Sequence, residues 1–333
     1  MGGGKLGNYA KEQLTHNGIN VIGFLDNAFP YGDESKGICA IDELRQKDIV
    51  VISSKAYPTI ANQLKNIGIS NSIYYEELAN RLPSSLDNYN EAYHGIWEEI
   101  ERNKNRYIWL YNLLQDSVSK QVFSDMIWFR MTYNAEYCAH ARGLSLQCGV
   151  QDFDDCITRG FSSDTVFCDV GGYDGKTTED FLKLCPEYKQ IYFFEPDIES
   201  YETAKKKLDG YRDITYYNSG VGSVDGTARF ESIGGNSGRI SDSGSIEVPV
   251  MTLEKFITEK TYVKMDIEGA EHDALLGMEK QISEFKPMLG ISVYHKPGDI
   301  HSLASYILTK NPEYRLYLRH YKYNLADTIC YFV

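Results

Sequence analysis

Long apolar runs and an excess of basic residues are both lacking in this 333-residue chain. No apolar run approaches the roughly 18 residues that a membrane-spanning helix needs, and we find neither a secretory signal nor a lipidation motif. The 34 lysines and arginines are outnumbered by 47 aspartates and glutamates, which gives a net charge of −13. Nucleic acid and anionic membrane surfaces are polyanions, so the sequence argues against either as the main partner.

Paired cysteines are also lacking. The seven cysteines are scattered, odd in number and without a C-x-x-C pair. Cys168 and Cys330 lie within apolar strand patterns, where cysteine acts as a small hydrophobe. These features argue against a disulfide framework and predict a protein of the reducing cytoplasm.

The most informative stretch is a strand, a glycine turn and a helix. The apolar run 166–170 predicts a buried parallel strand, and a helix is expected to begin at about Thr177. Between them lie three glycines, which let the backbone turn sharply and approach a ligand: Gly171, Gly172 and Gly175. Asp169 falls near the carboxyl end of the strand, where open α/β sheets hold their ligands.

Acidic residues around this turn indicate the kind of ligand. The next predicted strand, 190–195, ends in Glu195, about 20 residues beyond the glycines, as expected for a carboxylate that binds ribose hydroxyls. The turn reads D-x-G-x-x-x-G and contains Asp174, whereas a pyrophosphate site needs G-x-G-x-x-G. S-adenosylmethionine, which carries an ammonium, a sulfonium and a ribose, fits better than a dinucleotide. A plain connecting loop is the alternative, and the spacing of Glu195 favours the ligand site.

The N-terminal part resembles half of a nucleotide-binding fold. Gly2, Gly4 and Gly7 form a G-x-G-x-x-G match, followed by a predicted helix 6–16 and a predicted strand 19–25 that ends before Asp26. Further strands are predicted at 48–53 and 72–75, and further helices at 59–67 and 76–81. The strand that should precede the glycines is missing, as if the natural chain began earlier. We therefore interpret residues 1–82 as a Rossmann-like structural module rather than a working dinucleotide site.

Residues 83–150 are predicted to be a helical connector. A turn-rich break at 83–87 precedes a segment without proline, 91–142, whose apolar residues recur at spacings of three and four. The connector is expected to pack on the second domain or on a partner subunit, which leaves a homo-oligomer open. Residues 151–333 alternate strands and helices and form the second α/β domain. A Gly/Ser-rich insertion at 234–245 is expected to be a mobile loop over the site.

The segment 263–271, VKMDIEGAE, resembles a motif of the FkbM-type family of S-adenosylmethionine-dependent methyltransferases. Similar motifs follow the family's order at 169–175, 194–196, 218–222, 248–253, 291–295 and 316–320. The resemblance implies a class I methyltransferase domain with a Rossmann-like seven-stranded, mostly parallel sheet. It also implies methyl transfer to oxygen, often on sugars or polyketide-like products. Gly172 and Tyr173 depart from the Ala-Asn of many members.

The motifs assign ten residues to the cofactor: Asp169, Gly171, Gly172, Asp174, Gly175, Thr177, Glu195, Pro196, Asn218 and Ser219. Catalysis is assigned to Asp266, Glu268 and His295. Asp266 and Glu268 are two apart on a predicted extended segment, so they can face the same side, and His295 ends the neighbouring strand. A sugar hydroxyl is weakly acidic, so its proton is removed with help from a base or a metal.

Two versions of this step stay open. His295 or Asp266 is the general base, or Asp266 and Glu268 hold a cation such as Mg²⁺; we favour the base. The sequence thus predicts a cytoplasmic O-methyltransferase that uses S-adenosylmethionine and acts on a small-molecule or glycan acceptor, most plausibly a sugar. The alternatives are an oxidoreductase-like protein that binds NAD or a nucleotide sugar through the N-terminal glycines, and a non-catalytic assembly module.

Overall fold

The computed structural model describes residues 4–54, 56–82, 86, 95–232, 238–240 and 244–333. The chain forms two compact units, one of residues 1–101 and 127–137 and the other of residues 102–126 and 138–333. Each unit thus takes part of the predicted helical connector. The three-part division at residues 82 and 150 stays a prediction, and the predicted break at 83–87 lies outside the described residues except at residue 86.

The first unit combines a hairpin with a β-α-β element. Its helices and strands are α1 (Lys5–His16), β1 (Tyr31–Asp33), β2 (Ile38–Ala40), β3 (Val50–Ile52), α2 (Tyr57–Asn66), β4 (Ser72–Tyr74) and α3 (Tyr75–Arg81). β1 and β2 pair antiparallel, and β3 and β4 pair in parallel. Ala10 and Leu14 of α1 pack with Tyr75 and Ala79 of α3 in one apolar cluster. The predicted helices and the strands at 48–53 and 72–75 are confirmed within two residues.

The predicted strand at 19–25 is wrong. This stretch makes only one isolated bridge, from Phe24 to Ile38, and the side chains of Ile19 and Ile22 are 44% and 76% exposed. A strand needs a neighbouring ladder and a core to cover its apolar face. Here β3 and β4 pair with each other, so residues 19–25 do not extend that sheet.

Three helices follow, α4 (Ile96–Leu113), α5 (Ser117–Thr132) and α6 (Ala135–Ser145), which confirms the helical character predicted for this region. The remaining elements belong to the second unit. They are β5 (Gly149–Val150), β6 (Phe153–Asp154), α7 (Asp155–Thr158), β7 (Val166–Val170), α8 (Lys176–Leu184), β8 (Gln190–Phe194), α9 (Ile198–Lys207), β9 (Ile214–Tyr217), β10 (Gly220–Val221), β11 (Gly226–Ser232), β12 (Gly238–Ile240), β13 (Ile246–Met251), β14 (Thr261–Met265), α10 (Glu271–Leu276), α11 (Glu279–Glu284), β15 (Met288–Ser292), α12 (Asp299–Lys310), β16 (Leu316–His320) and β17 (Thr328–Phe332). No helix among the described residues is long and apolar enough to cross a membrane.

A seven-stranded sheet forms the centre of the second unit, as the sequence predicts. Its strand order is β16-β17-β15-β14-β7-β8-β9, and only β17 runs antiparallel to its neighbours. All five residues of β7, β14 and β17 are buried, which explains why these strands are mostly apolar in the sequence; the two charged residues among them, Asp169 and Lys264, pair with each other. The chain leaves β7 for β8 on one side and later adds β14 on the other. A crevice is expected at the carboxyl ends of strands on either side of such a switch point.

A smaller sheet lies in the insertion between β9 and β14, with the order β10-β13-β11-β12. The predicted loop at 234–245 falls largely outside the described residues, because 233–237 and 241–243 are not among them. Its described part includes β12, which pairs antiparallel with β11. The sequence does not predict β12, because glycine and serine dominate this stretch and carry little strand preference.

Candidate active site

A cavity of about 420 Å³ opens at the carboxyl ends of β7, β8 and β14. Its walls come from the turn after β7, the residues that follow β8, residues 219–221 and the loop after β14. Phe230, Gly238 and Ile240 of the smaller sheet add a partly apolar wall. The cavity therefore lies at the switch point of the main sheet, the place where the sequence predicts the cofactor.

The glycine turn is fixed by its contacts with neighbouring strands. The backbone N–H groups of Gly171 and Gly172 both donate to the carbonyl of Phe194 at 3.0 Å. Gly171 has φ +75°, and a Cβ there would lie 1.9 Å from the carbonyl oxygen of Asp266. A Cβ on Gly172 would lie 2.1 Å from the ring of Phe193. These glycines are thus required by close packing within the protein, and Gly171 also lines the cavity, so its predicted approach to a ligand stays a prediction.

Asp169 supports this turn from within the protein. It is fully buried; its Oδ2 accepts a hydrogen bond from Thr178 Oγ1 at 2.7 Å, and its Oδ1 lies 3.2 Å from Lys264 Nζ. Lys264 Nζ also donates to the carbonyl of Gly171 at 2.6 Å. Burial lowers the pKa of Lys264, but the negative charges of Asp169, Asp266 and Asp152 and the hydrogen bond with Asp169 together outweigh it and keep the pKa above its ordinary value. The geometry gives Asp169 a supporting role. Its hydroxyl partner is Thr178, the residue after the predicted cofactor residue Thr177 on α8.

Glu195 presents a fixed carboxylate to the cavity. Its Oε2 accepts the N–H of Tyr173 at 2.9 Å, and its Oε1 accepts the N–H of Asp197 at 2.8 Å. Burial raises the pKa of Glu195 above its ordinary range, against the two N–H groups that lower it. Asn218 Nδ2 donates to the carbonyls of Glu195 and Pro196 at 2.9 and 3.0 Å, so Asn218 holds this loop in place. A carboxylate offers about four acceptor positions, so Glu195 keeps some for a ligand.

Two more predicted cofactor residues lie on the cavity wall. Ser219 Oγ is buried and has no hydrogen-bond partner among the described residues. Buried hydroxyls are nearly always paired, so this one is suited to a bound ligand. Asp174 accepts hydrogen bonds from the N–H of Lys176 at 3.0 Å and from Lys207 Nζ at 2.5 Å. Gly175, with φ +79°, precedes the first residue of α8 and packs against Ala204.

The three predicted catalytic residues meet at the ends of β14 and β15. His295 Nε2 lies 3.3 Å from Asp266 Oδ1 and 3.4 Å from Glu268 Oε2. The predicted extended segment is wrong, because β14 ends at Met265 and Glu268 has φ +54°. This left-handed residue turns the chain into the loop before α10, and both carboxylates still reach the same imidazole.

Two further residues of this cluster are missed by the sequence interpretation. Tyr294 donates from its hydroxyl to Asp266 Oδ1 at 3.1 Å. Glu271, in the first turn of α10, lies with its Oε1 3.0 Å from His295 Nδ1 and accepts the N–H of Ile267 at 2.9 Å. Tyr294 could have been identified from the sequence because it directly precedes His295. Glu271 could have been identified because it is one of the regularly spaced acids of the 263–271 motif.

Burial and charge oppose each other at His295, whose side chain is only 6% exposed. Burial lowers the pKa of the imidazole, but Glu271, Asp266 and Glu268 together raise it to about 9. Burial also raises the pKa of Glu268, which is 42% exposed. Near neutral pH the cluster therefore holds one imidazolium among three acidic side chains.

One group in the described part of the chain has the spacing of a metal site. Asp266, Glu271 and His295 each offer one ligand atom, and these atoms lie within 4.8 Å of one another. The set differs from the predicted pair of Asp266 and Glu268, because Glu271 rather than Glu268 completes it.

The N-terminal glycine motif does not form a strand-turn-helix among the described residues. Gly2 lies outside them, Gly4 precedes α1, and Gly7 is buried within that helix. Asp26 accepts the N–H of Ala28 at 3.0 Å within a turn. No described feature here corresponds to a dinucleotide cradle.

Residues 169–325 match the family model of the methyltransferase FkbM domain. Among solved structures, a methyltransferase FkbM from Methylobacillus flagellatus KT is 24% identical, with a TM-score of 0.76 over 95% of this chain and 84% of that one, and thus shares its fold. A fibrillarin from Aeropyrum pernix with natively bound S-adenosyl-L-methionine is 10% identical over 59% of this chain and 74% of its own, but its TM-score of 0.35 is too low to carry an argument. No curated protein matches the sequence significantly. Residues 169–325 are therefore a methyltransferase domain of the FkbM family.

Proposed function

We propose that this methyltransferase transfers a methyl group from S-adenosylmethionine to a hydroxyl of an uncharged acceptor, such as a sugar or glycan. The observation that carries the proposal is the acidic cavity at the switch point, in which the Glu195 carboxylate is fixed by two backbone N–H groups. A free cofactor with a sulfonium and an ammonium is attracted to such a cavity. Its ribose hydroxyls match the acceptor positions left on Glu195.

Ser219 supports the same placement of the cofactor. Its hydroxyl is buried on the cavity wall without a partner among the described residues. A hydrogen bond from the cofactor would remove the cost of leaving this group unsatisfied. The methyl end would then lie toward Asp266, across the cavity from Glu195, because both residues line it.

Asp266 is the residue proposed to take the acceptor's proton. It lines the cavity, it is 27% exposed, and the hydroxyl of Tyr294 orients its carboxylate. Glu268 also lines the cavity, and His295 lies behind both carboxylates and positions them. Alignment of acceptor oxygen, methyl carbon and sulfur supplies much of the remaining rate.

The charge of the cavity favours an uncharged acceptor over an anionic one. Six acidic residues line it: Asp174, Glu195, Asp197, Glu199, Asp266 and Glu268. No lysine or arginine is among the described lining residues. Arg239 of β12 lies close by, but its Nε is 3.4 Å from Glu231. A phosphate on the acceptor would meet these carboxylates, and the basic side chains beside the cavity are already paired with acids, Lys207 with Asp174 and Arg239 with Glu231. We further propose a cytoplasmic location, which the seven free cysteines support.

Mass spectrometry with deuterated-methyl S-adenosylmethionine tests the proposal. Neutral glycosides and their phosphate monoesters are offered as matched pairs, and we expect the label on a hydroxyl of a neutral member. Asp266→Asn should lower kcat by ~10²–10⁴ and leave S-adenosylmethionine affinity nearly unchanged. Label found only on nitrogen or carbon would contradict transfer to a hydroxyl, and label found only on the phosphate monoesters would contradict an uncharged acceptor. Full turnover in Asp266→Asn would contradict the role proposed for Asp266.

A further inference from the structure

We propose that the carboxyl ends of β14 and β15 bind one first-row divalent metal ion through His295, Asp266 and Glu271. Each residue offers one ligand atom, and the three atoms lie within 4.8 Å of one another. The inference rests on this ligand geometry and does not depend on the identity of the methyl acceptor. It goes beyond methyl transfer, because a metal site is a separate binding property of the fold.

The state of His295 is the second observation that points to an ion. Its side chain is 6% exposed, and neither ring nitrogen has a hydrogen-bond partner among the described residues. Carboxylate oxygens lie at ion-pair distances on both sides, 3.0 Å at Nδ1 and 3.3 Å at Nε2, but they are not aligned for hydrogen bonds. Buried polar atoms are rarely left without a hydrogen-bond partner. An ion bound to Nδ1, the nitrogen beside Glu271, would satisfy that atom, and Nε2 would face the Glu268 carboxylate, which is not among the proposed ligands.

Charge gives an independent reason. Asp266, Glu268 and Glu271 surround a single imidazole at 3.0 to 3.4 Å. Even a charged ring leaves this group with an excess of negative charge, and gathering carboxylates in a partly buried place is costly unless a cation offsets them. A divalent ion supplies that charge at the centre of the group.

The ligands are held in place by the surrounding residues. Glu271 is 1% exposed, and its Oε1 accepts the N–H of Ile267 at 2.9 Å. Asp266 accepts the hydroxyl of Tyr294 at 3.1 Å. Such outer contacts orient metal ligands and are characteristic of built sites rather than loose surface acids.

The ligand types indicate which ion fits. Mg²⁺ and Ca²⁺ prefer oxygen ligands alone, whereas one imidazole with two carboxylates suits Mn²⁺, Fe²⁺ or Zn²⁺. This differs from the Mg²⁺ that the sequence leaves open. Because Asp266 lines the cavity, the ion would be reachable from it.

Titration with Mn²⁺ followed by electron paramagnetic resonance tests the site on the full chain after metal removal. Mn²⁺ is the probe because it binds thiols weakly, and all seven cysteines are free. We expect one saturable site per chain, with affinity at least ~10-fold lower in both His295→Ala and Glu271→Gln. Glutamine keeps an oxygen that accepts the N–H of Ile267, so the second variant preserves the loop.

His140→Ala is the matched control. His140 Nδ1 lies 2.7 Å from Asp125 Oδ2, but its ring is 56% exposed and has one carboxylate beside it, so Mn²⁺ binding should not change. The proposal would be overturned by the absence of saturable Mn²⁺ binding below about 1 mM. It would also be overturned by equal Mn²⁺ affinity in wild type and a folded Glu271→Gln variant. Either result would mean that the residues form an imidazolium–carboxylate cluster without a metal ion. Binding of S-adenosylmethionine is measured separately, so failure of either result is distinguishable from failure of the other.

Discussion

Glu195 and Asp169 are both acids at the end of a central strand, yet the structure gives them different tasks. Glu195 lines the cavity, whereas Asp169 is fully buried and contacts Thr178 and Lys264. The sequence predicts both positions, because strand ends at a switch point are recognisable from apolar runs and glycines. It cannot tell which acid faces the ligand, because that depends on contacts between residues far apart in the chain, such as Lys264 with the turn.

The same limit applies to the predicted catalytic residues. Asp266, Glu268 and His295 are found from the sequence because they follow neighbouring strands. Glu271 is missed as a partner of His295, because an acid in the first turn of a helix has an ordinary explanation in the helix dipole. The chain turns at Glu268 and Gly269, which both have positive φ, before α10 begins and places Glu271 beside the imidazole.

Asp152 gives a prediction about stability and pH. It is buried with φ +66°; burial above all raises its pKa to about 7, helped by Asp266, Asp169 and Asp327 and opposed by Lys264. The folded state thus favours the protonated carboxyl, and stability is lost as pH rises from the ordinary value of 3.8 through about 7. Asp152→Asn removes this loss and tolerates the left-handed backbone.

The Asp152→Asn variant should gain unfolding free energy over wild type as pH rises. The gain is expected to grow by about 2 kcal/mol between about pH 5.5 and about pH 8. Urea unfolding followed by circular dichroism measures it. A difference between the two proteins that stays constant over this range would mean that the Asp152 carboxyl titrates in the same way in folded and unfolded chains.

At the level of elements, the predictions succeed best for the main sheet. β7 and β14 are buried on both faces and mostly apolar, and the strands predicted at 166–170 and 190–195 agree with β7 and β8 within one residue. Short strands are harder to predict. β12 lies in a glycine- and serine-rich stretch, and residues 19–25 are mostly apolar but have no sheet to join. Whether such a segment forms a strand depends on the neighbouring strands available to pair with it, and these cannot be read from the segment itself.

Gly171 tests the packing of the turn against β14. Gly171→Ala should lower the free energy of unfolding by more than about 3 kcal/mol, because its Cβ would lie 1.9 Å from the Asp266 carbonyl oxygen. Gly210→Ala is the matched control: its φ is +88°, with nothing within 4 Å of the new Cβ, so only the cost of the left-handed backbone, about 1–2 kcal/mol, remains. Equal losses of unfolding free energy in the two variants, measured by urea unfolding, would show that the turn adjusts to the new Cβ at no extra cost.

For the whole molecule, charge and fold point in the same direction. The net charge of −13 and the six acids of the cavity are the basis of the proposal that a cationic cofactor and an uncharged acceptor bind there. The expected homo-oligomer through the helical segment stays a prediction, as does the three-part domain division. The seven-stranded sheet and the FkbM domain at 169–325 are established.

Calorimetric titration of S-adenosylmethionine into the full chain tests the central claim most directly. We predict saturable one-to-one binding in the micromolar to millimolar range, weakened ~10–100-fold in Glu195→Gln because a charge-assisted hydrogen bond to the ribose is lost. Glu202→Gln, on the same helix that follows Glu195 and 49% exposed, should bind like wild type. No saturable binding, or equal affinity in folded Glu195→Gln and wild type, would contradict the assignment of this cavity to the methyl donor.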